Sequence, residues 1–202
     1  PCSKKIFLNV SPNIMYDPKF RQGFTKEYLK QYNITPEQVI FEITEKNAIK
    51  DMGGFLSTIS HYKVQNYKIA IDDAGAGYSG LNLISDIKPH FIKLDMKLVH
   101  EINLDSIKNA LVKSMVELSH IANIHLIAEG IENQEELKTL IDLGVQFGQG
   151  YFIQKPNELI MDIPPQVLNA IHDANSKKNH LAGRQASNIF IENLCSEAIS
   201  VS

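Results

Sequence analysis

What most constrains this chain is a rhythm. Short apolar runs rich in β-branched residues recur at residues 5–10 (KIFLNV), 38–43 (QVIFEI), 67–72 (YKIAID), 90–95 (HFIKLD), 124–129 (IHLIAE) and 145–153 (VQFGQGYFI). Helical spacing fills the intervals. In SIKNALVKSMVELSHIAN, Ile107, Leu111, Met115 and Leu118 fall on one helical face. In QEELKTLIDLG, Leu137, Leu140 and Ile141 are the apolar positions, and Gly144 is placed to end the helix. Strands alternating with helices predict an α/β domain with a mainly parallel sheet.

Nearly every apolar run closes on a residue able to do chemistry: Asn9, Glu42, Asp72 with Asp73, Lys93 with Asp95, and Glu129, while Gln149 lies inside the last run. In a (β/α)₈ barrel the C-terminal strand ends converge on one face, which carries the active site. Six runs in succession that each carry such a residue are hard to attribute to solvated loop entries. A closed barrel has eight strands and about 250 residues. With six runs in 202 residues, the first two strands are expected to be missing from the N-terminus of this chain.

Composition narrows the class. Hydrophobic content of 44% and charged content of 21% fit a globular domain, and a net charge of −3 argues against a general DNA-binding surface. Cys2 and Cys195 have no metal-ligand spacing and read as free thiols, which favours a reducing, cytoplasmic setting. No apolar run approaches the roughly 18 residues of a membrane span. The seven histidines show no ligand-like clustering.

The stretch IDDAGAGYSGL at 71–81 poses a choice. Gly75, Gly77 and Gly80 fit G-x-G-x-x-G, and Asp95 follows 20 positions after the first glycine, as in a dinucleotide-binding fingerprint. Such a loop meets an anion with backbone N–H groups at a helix N-terminus. Asp72 and Asp73 would oppose that anion unless cations lay between them. The glycines then serve a tight loop after the third strand, and the carboxylates serve as a metal seat.

The motifs FLNVSP (7–12), FEITE (41–45), DDAGAGYSGL (72–81), IKPHFIKLD (87–95), AEGIE (128–132) and GQGYFIQKP (148–156) stand in one order over roughly residues 5–160. Taken together, they resemble the EAL domain family, cyclic-di-GMP phosphodiesterases with a TIM-barrel-like fold. The resemblance implies a two-metal hydrolase that converts cyclic di-GMP to linear pGpG with Mg²⁺ or Mn²⁺. Asn9, Glu42 and Asp72 match metal ligands, with Asp72 matching the bridging carboxylate, and Asp73 and Glu129 match ligands of the second ion. Lys93 matches the lysine that orients or deprotonates the attacking water. Gln149 matches a glutamine that helps hold this water or the second metal site. Glu45 matches a glutamate that steadies the loop after Asp73, a loop implicated in dimerisation. A homodimer through that loop and adjoining signalling domains are the implied partners.

Two departures qualify the match. Ala74 stands where the family usually has phenylalanine, and the namesake Glu-Ala-Leu motif lies upstream of the first residue here. Loss of the glutamate in that motif would favour a catalytically inactive cyclic-di-GMP-binding sensor. In isolation, Asn9 also reads as a turn residue, Lys93 as an outward strand position and Glu45 as part of a helix start. Asp95 and Glu132 stand between site support and surface structure. The expected division is a domain over 1–165, lacking its N-terminal strands, followed by a C-terminal helix and connector over 166–202, leading to another domain.

Overall fold

The computed structural model describes residues 4–10, 24–44, 52–74, 80–159 and 161–182. Glu45, the glycine loop at 75–79 and the end of the connector lie outside the described residues. The chain divides into two compact units, the first ending at Phe91 and the second starting at Ile92.

The first unit contains β1 (Ile6–Asn9), α1 (Phe24–Gln31), β2 (Val39–Thr44), α2 (Met52–Val64), β3 (Lys68–Ala74) and α3 (Gly80–Ile87). Its strands lie in the order β1-β2-β3, and both pairings are parallel. β2 reads VIFEIT and is buried at all but its last residue, the pattern of a parallel strand covered on both faces. Phe41, Tyr62 and Tyr67 pack ring against ring with centroids 5.0–5.5 Å apart, joining β2 to α2 and to the entry of β3. The C-terminal end of α3 leaves carbonyls without helical partners. Lys63 of α2 donates to Ile87 O and Lys88 O at 2.5 and 2.6 Å and satisfies them.

The second unit contains β4 (Phe91–Leu94, whose first residue ends the first unit), α4 (Met96–Val99), α5 (Ser106–Ala122), β5 (His125–Ala128), α6 (Gln134–Leu143), β6 (Phe147–Gly148) and α7 (Pro165–Ala182). The strand order is β4-β5-β6, and β5 and β6 are parallel. Local chemistry sets the helix ends. Asp105 accepts from Ile107 N and Lys108 N to start α5, and Asn123 closes it in the left-handed region. Asn133 accepts from Glu136 N to start α6, and Gly144 ends it at φ 102°. Leu137, Leu140 and Ile141 are buried as their spacing requires. Val167, Ile171 and Ala174 are the buried positions among the described side chains of α7, which packs against α6.

Two expectations change on inspection. The helix over 106–122 forms, but Ile107 and Leu111 are exposed, and the buried face is Val112, Val116 and Ser119. The sixth run pairs over only two residues, and the segment after it turns away. Glycines explain the second change. Gly150 lies so close to the loop after β5 that a Cβ there would sit 2.2 Å from Ile131 N and 2.3 Å from Ile131 O. Ile131 N donates to Gln149 O, and Phe152 N donates to Ile131 O. The chain after β6 wraps the backbone of Ile131 instead of continuing as a strand. Gly150→Ala is therefore expected to lower stability by about 3 kcal/mol, the overpacking scale, whereas Gly144→Ala, in the left-handed region at φ 102°, costs about 1 kcal/mol. Urea unfolding of the two variants checks the ranking, and equal losses would refute the close approach.

Candidate metal and hydrolytic site

The strand ends of the first unit are aligned by register. Asn9 pairs with Glu42 and Glu42 with Ala70, while Thr44 pairs with Asp72. Paired residues of parallel strands point to the same face, and so do residues two apart. Asn9, Glu42 and Asp72 therefore share one face of this sheet, Asp72 one pleat farther along. Glu42 is only 4% exposed, Asp72 is half-buried and Asn9 is exposed.

Strand alternation would send Asp73 to the opposite face. It has φ 58°, a left-handed conformation that breaks the alternation and that aspartate tolerates better than most residues. Asp73 N donates to Asp72 Oδ1 at 3.1 Å, and each residue offers a carboxylate oxygen within 4.8 Å of the other's. Backbone outliers of this kind collect at functional sites. Two carboxylates so close repel in the absence of a cation. Together with the amide of Asn9 and the carboxylate of Glu42, they offer the hard oxygen donors that Mg²⁺ and Mn²⁺ prefer. Beneath them, Ala74 is buried.

In the second unit the strand ends assemble a different group. Lys93 on β4 is 6% exposed, so it does not alternate outward to solvent. Its Nζ lies 2.7 Å from Glu129 Oε1, and Gln149 Nε2 donates to the same oxygen at 2.6 Å. Backbone bonds fix the two partners. Glu129 N donates to Leu94 O, one residue past the end of β5, and Gln149 N donates to Ala128 O, one residue past the end of β6. A buried ammonium and an amide thus converge on one carboxylate, an arrangement of charge-assisted hydrogen bonds able to orient a water molecule.

Asp95 is a buried cap, 4% exposed, whose Oδ1 accepts from Lys97 N at 2.8 Å to start α4. It is therefore no surface residue: it anchors the start of α4, two positions after Lys93. Glu136, which closes no strand and so carries no strand-end signal, is a fully buried carboxylate. Its local signal is the capping pattern Asn133-Gln134-Glu135-Glu136 at the start of α6.

The EAL domain model matches residues 3–156. The chain belongs to the EAL domain family. A curated relative, the cyclic di-GMP phosphodiesterase PdeF of Escherichia coli (strain K12), is 31% identical over 153 residues, 76% of this chain and 20% of the relative. A solved standalone EAL protein from Vibrio cholerae O395, in its c-di-GMP bound form, is similar with a TM-score of 0.74 and 34% identity, covering 80% of this chain and 69% of that one. The manganese/cy-diGMP complex of Klebsiella pneumoniae BlrP1 gives a TM-score of 0.70 at 34% identity, over 75% of this chain and 38% of that one. The α/β fold expected from the strand rhythm is the EAL fold. The chain spans 20–28% of the length of the first three curated relatives it matches. Among the described residues, no helix is long and apolar enough to cross a membrane.

If Asp72 and Asp73 repel in the metal-free protein, Asp73→Asn should relieve it, because asparagine keeps the left-handed preference and drops the charge. At about 5 Å in a water-like medium the gain is about 1 kcal/mol, or about 2–4 °C in melting temperature for a chain of this size. Melting in EDTA checks this, and an unchanged or lower midpoint would contradict it.

Proposed function

We propose that this EAL domain hydrolyses cyclic di-GMP to linear pGpG. The observation that carries the reading is the strained acid pair at the end of β3, in which Asp73 leaves the strand alternation and brings its carboxylate beside that of Asp72. The names of the family's curated phosphodiesterases and the cyclic-dinucleotide complexes among its solved structures supply the substrate.

In this reading Asn9, Glu42, Asp72, Asp73 and Glu129 are the ligands of two divalent ions, Mg²⁺ or Mn²⁺. When bound, such ions neutralise the phosphodiester and lower the pKa of a coordinated water. The residues of the chain do the rest. Asp72 and Asp73 would form the ion seat at the end of β3. Lys93, held by Glu129, donates to the attacking water and aligns its oxygen with phosphorus. Gln149 keeps Glu129 in place by donating to Oε1 and leaves Lys93 a fixed partner. The water oxygen bonds to phosphorus as the bond to one ribose 3′ oxygen breaks. The phosphate remains on the 5′ side, and the departing 3′ oxygen takes up a proton, giving pGpG.

The same reading places the domain in the cytoplasm, as a homodimer through the loop after Asp73, which Glu45 would steady. It also places the domain beside signalling domains, since the curated relatives are several times longer. Purified protein with Mn²⁺ is expected to convert cyclic di-GMP to pGpG, resolved by ion-exchange chromatography. EDTA should stop the reaction. Asp72→Ala should reduce it by about a thousandfold or more, the scale of a lost transition-state contact within a cooperating set. Tight nucleotide binding with no turnover under these conditions would replace the enzyme with a sensor.

A further inference from the structure

Glu136 takes no part in the roles assigned above, yet it is the most deeply buried carboxylate among the described residues, at 0% exposure. A buried carboxylate is costly unless its oxygens are satisfied. Both are, and by main chain. Oε1 accepts from Glu101 N at 2.9 Å, and Oε2 accepts from Glu132 N at 2.9 Å. His100 Nδ1 stands 3.7 Å from Oε1 and 3.7 Å from Glu132 Oε2.

Helix capping alone does not require this. Asn133 Oδ1 already accepts from Glu136 N, and the usual reciprocal bond from an N3 glutamate goes to the N-cap amide. Here the side chain reaches one residue farther, to Glu132, and across to a second loop. These two loops follow the strand ends that carry the site. Glu132 lies three residues past Glu129, and Glu101 follows α4, which Asp95 starts directly after β4. Glu101 is held at φ 56°, a left-handed turn that presents its N–H to the carboxylate. The loop after β5 also meets the start of α4 without Glu136: a Cβ on Gly130 would sit 2.7 Å from Met96 Cβ. Glu136 thus fastens the loop after β5 to the end of α4, and with it the 2.7 Å approach of Glu129 to Lys93.

We propose that Glu136 is a positioning residue for the Lys93–Glu129 pair, acting through the amides of Glu101 and Glu132. The inference rests on the reading that this pair serves metal-dependent hydrolysis. In Glu136→Gln one oxygen becomes an NH₂ group, which cannot accept from an N–H, so one loop is released while volume is kept. The test uses the full chain, with Mn²⁺ binding measured without nucleotide by the electron paramagnetic resonance signal of free Mn²⁺. Turnover of cyclic di-GMP and melting temperature are followed alongside. Glu136→Gln is expected to weaken Mn²⁺ binding and to lower kcat by about tenfold each, as for other outer partners of metal ligands, with KM within about twofold. Val112→Ala, a buried truncation in α5 that also lowers the melting temperature, should leave Mn²⁺ affinity unchanged. Glu136→Gln matching the wild type, or Val112→Ala reproducing its loss, overturns the proposal.

Hydrogen exchange of the wild type tests the two amide contacts even if the variant does not fold. The amides of Glu101 and Glu132 should be protected like core amides, and exchange at exposed-loop rates would refute the role. A wild type that neither binds Mn²⁺ nor turns over nucleotide fails the functional reading itself. An active wild type with an indifferent Glu136→Gln fails this inference alone.

Discussion

An ammonium withdrawn from water needs a counter-charge in place, and Lys93 is such an ammonium. Water reaches little of it, so the geometry of Glu129 cannot be left to chance. Much of the second unit can be understood from that demand. The end of β5 is tied to β4 through Glu129 N and Leu94 O, and the end of β6 to β5 through Gln149 N and Ala128 O. The loop between β5 and α6 is clasped by Gln149, Gly150 and Phe152 around Ile131. None of these contacts is a reacting group, yet each removes a freedom that would let the pair drift apart.

The first unit solves a different problem with a different device. Strand parity brings Asn9, Glu42 and Asp72 to one face at no conformational cost, because parallel register carries orientation from strand to strand. A further carboxylate next to Asp72 cannot be had that way. It requires a backbone that leaves the pleat, and Asp73 supplies this with a conformation its short polar side chain tolerates. The strain and the repulsion are local, and the packed core of β2, β3 and α2 beneath them holds the residues in place.

The sequence made the strand ends legible because a polar residue closing an apolar run is a local signal that needs no tertiary knowledge. The Gly144 terminator was legible for the same reason. Four features were not. The period of α5 marks a helix, but two apolar stripes compete on it, and only packing shows that Val112 and Val116 face inward while Ile107 and Leu111 do not. The sixth run reads as a long strand because the grip on Ile131 comes from a loop about 20 residues earlier in the chain. Glu136 is one acid in a polar stretch, and its burial depends on two loops that the sequence does not bring together. The left-handed turn at Asp73 is likewise invisible in the letters, although the adjacent acids pointed to the place.

The clasp around Ile131 has an evolutionary side. A segment threaded between amides and carbonyls of another loop cannot lengthen or shorten by one residue without losing every bond in the set. Insertions and deletions among descendants of this chain should avoid the short span from Ala128 to Asn133. They should accumulate where helices meet solvent, so the length of that short span would act as a ruler that outlasts much of the surrounding sequence.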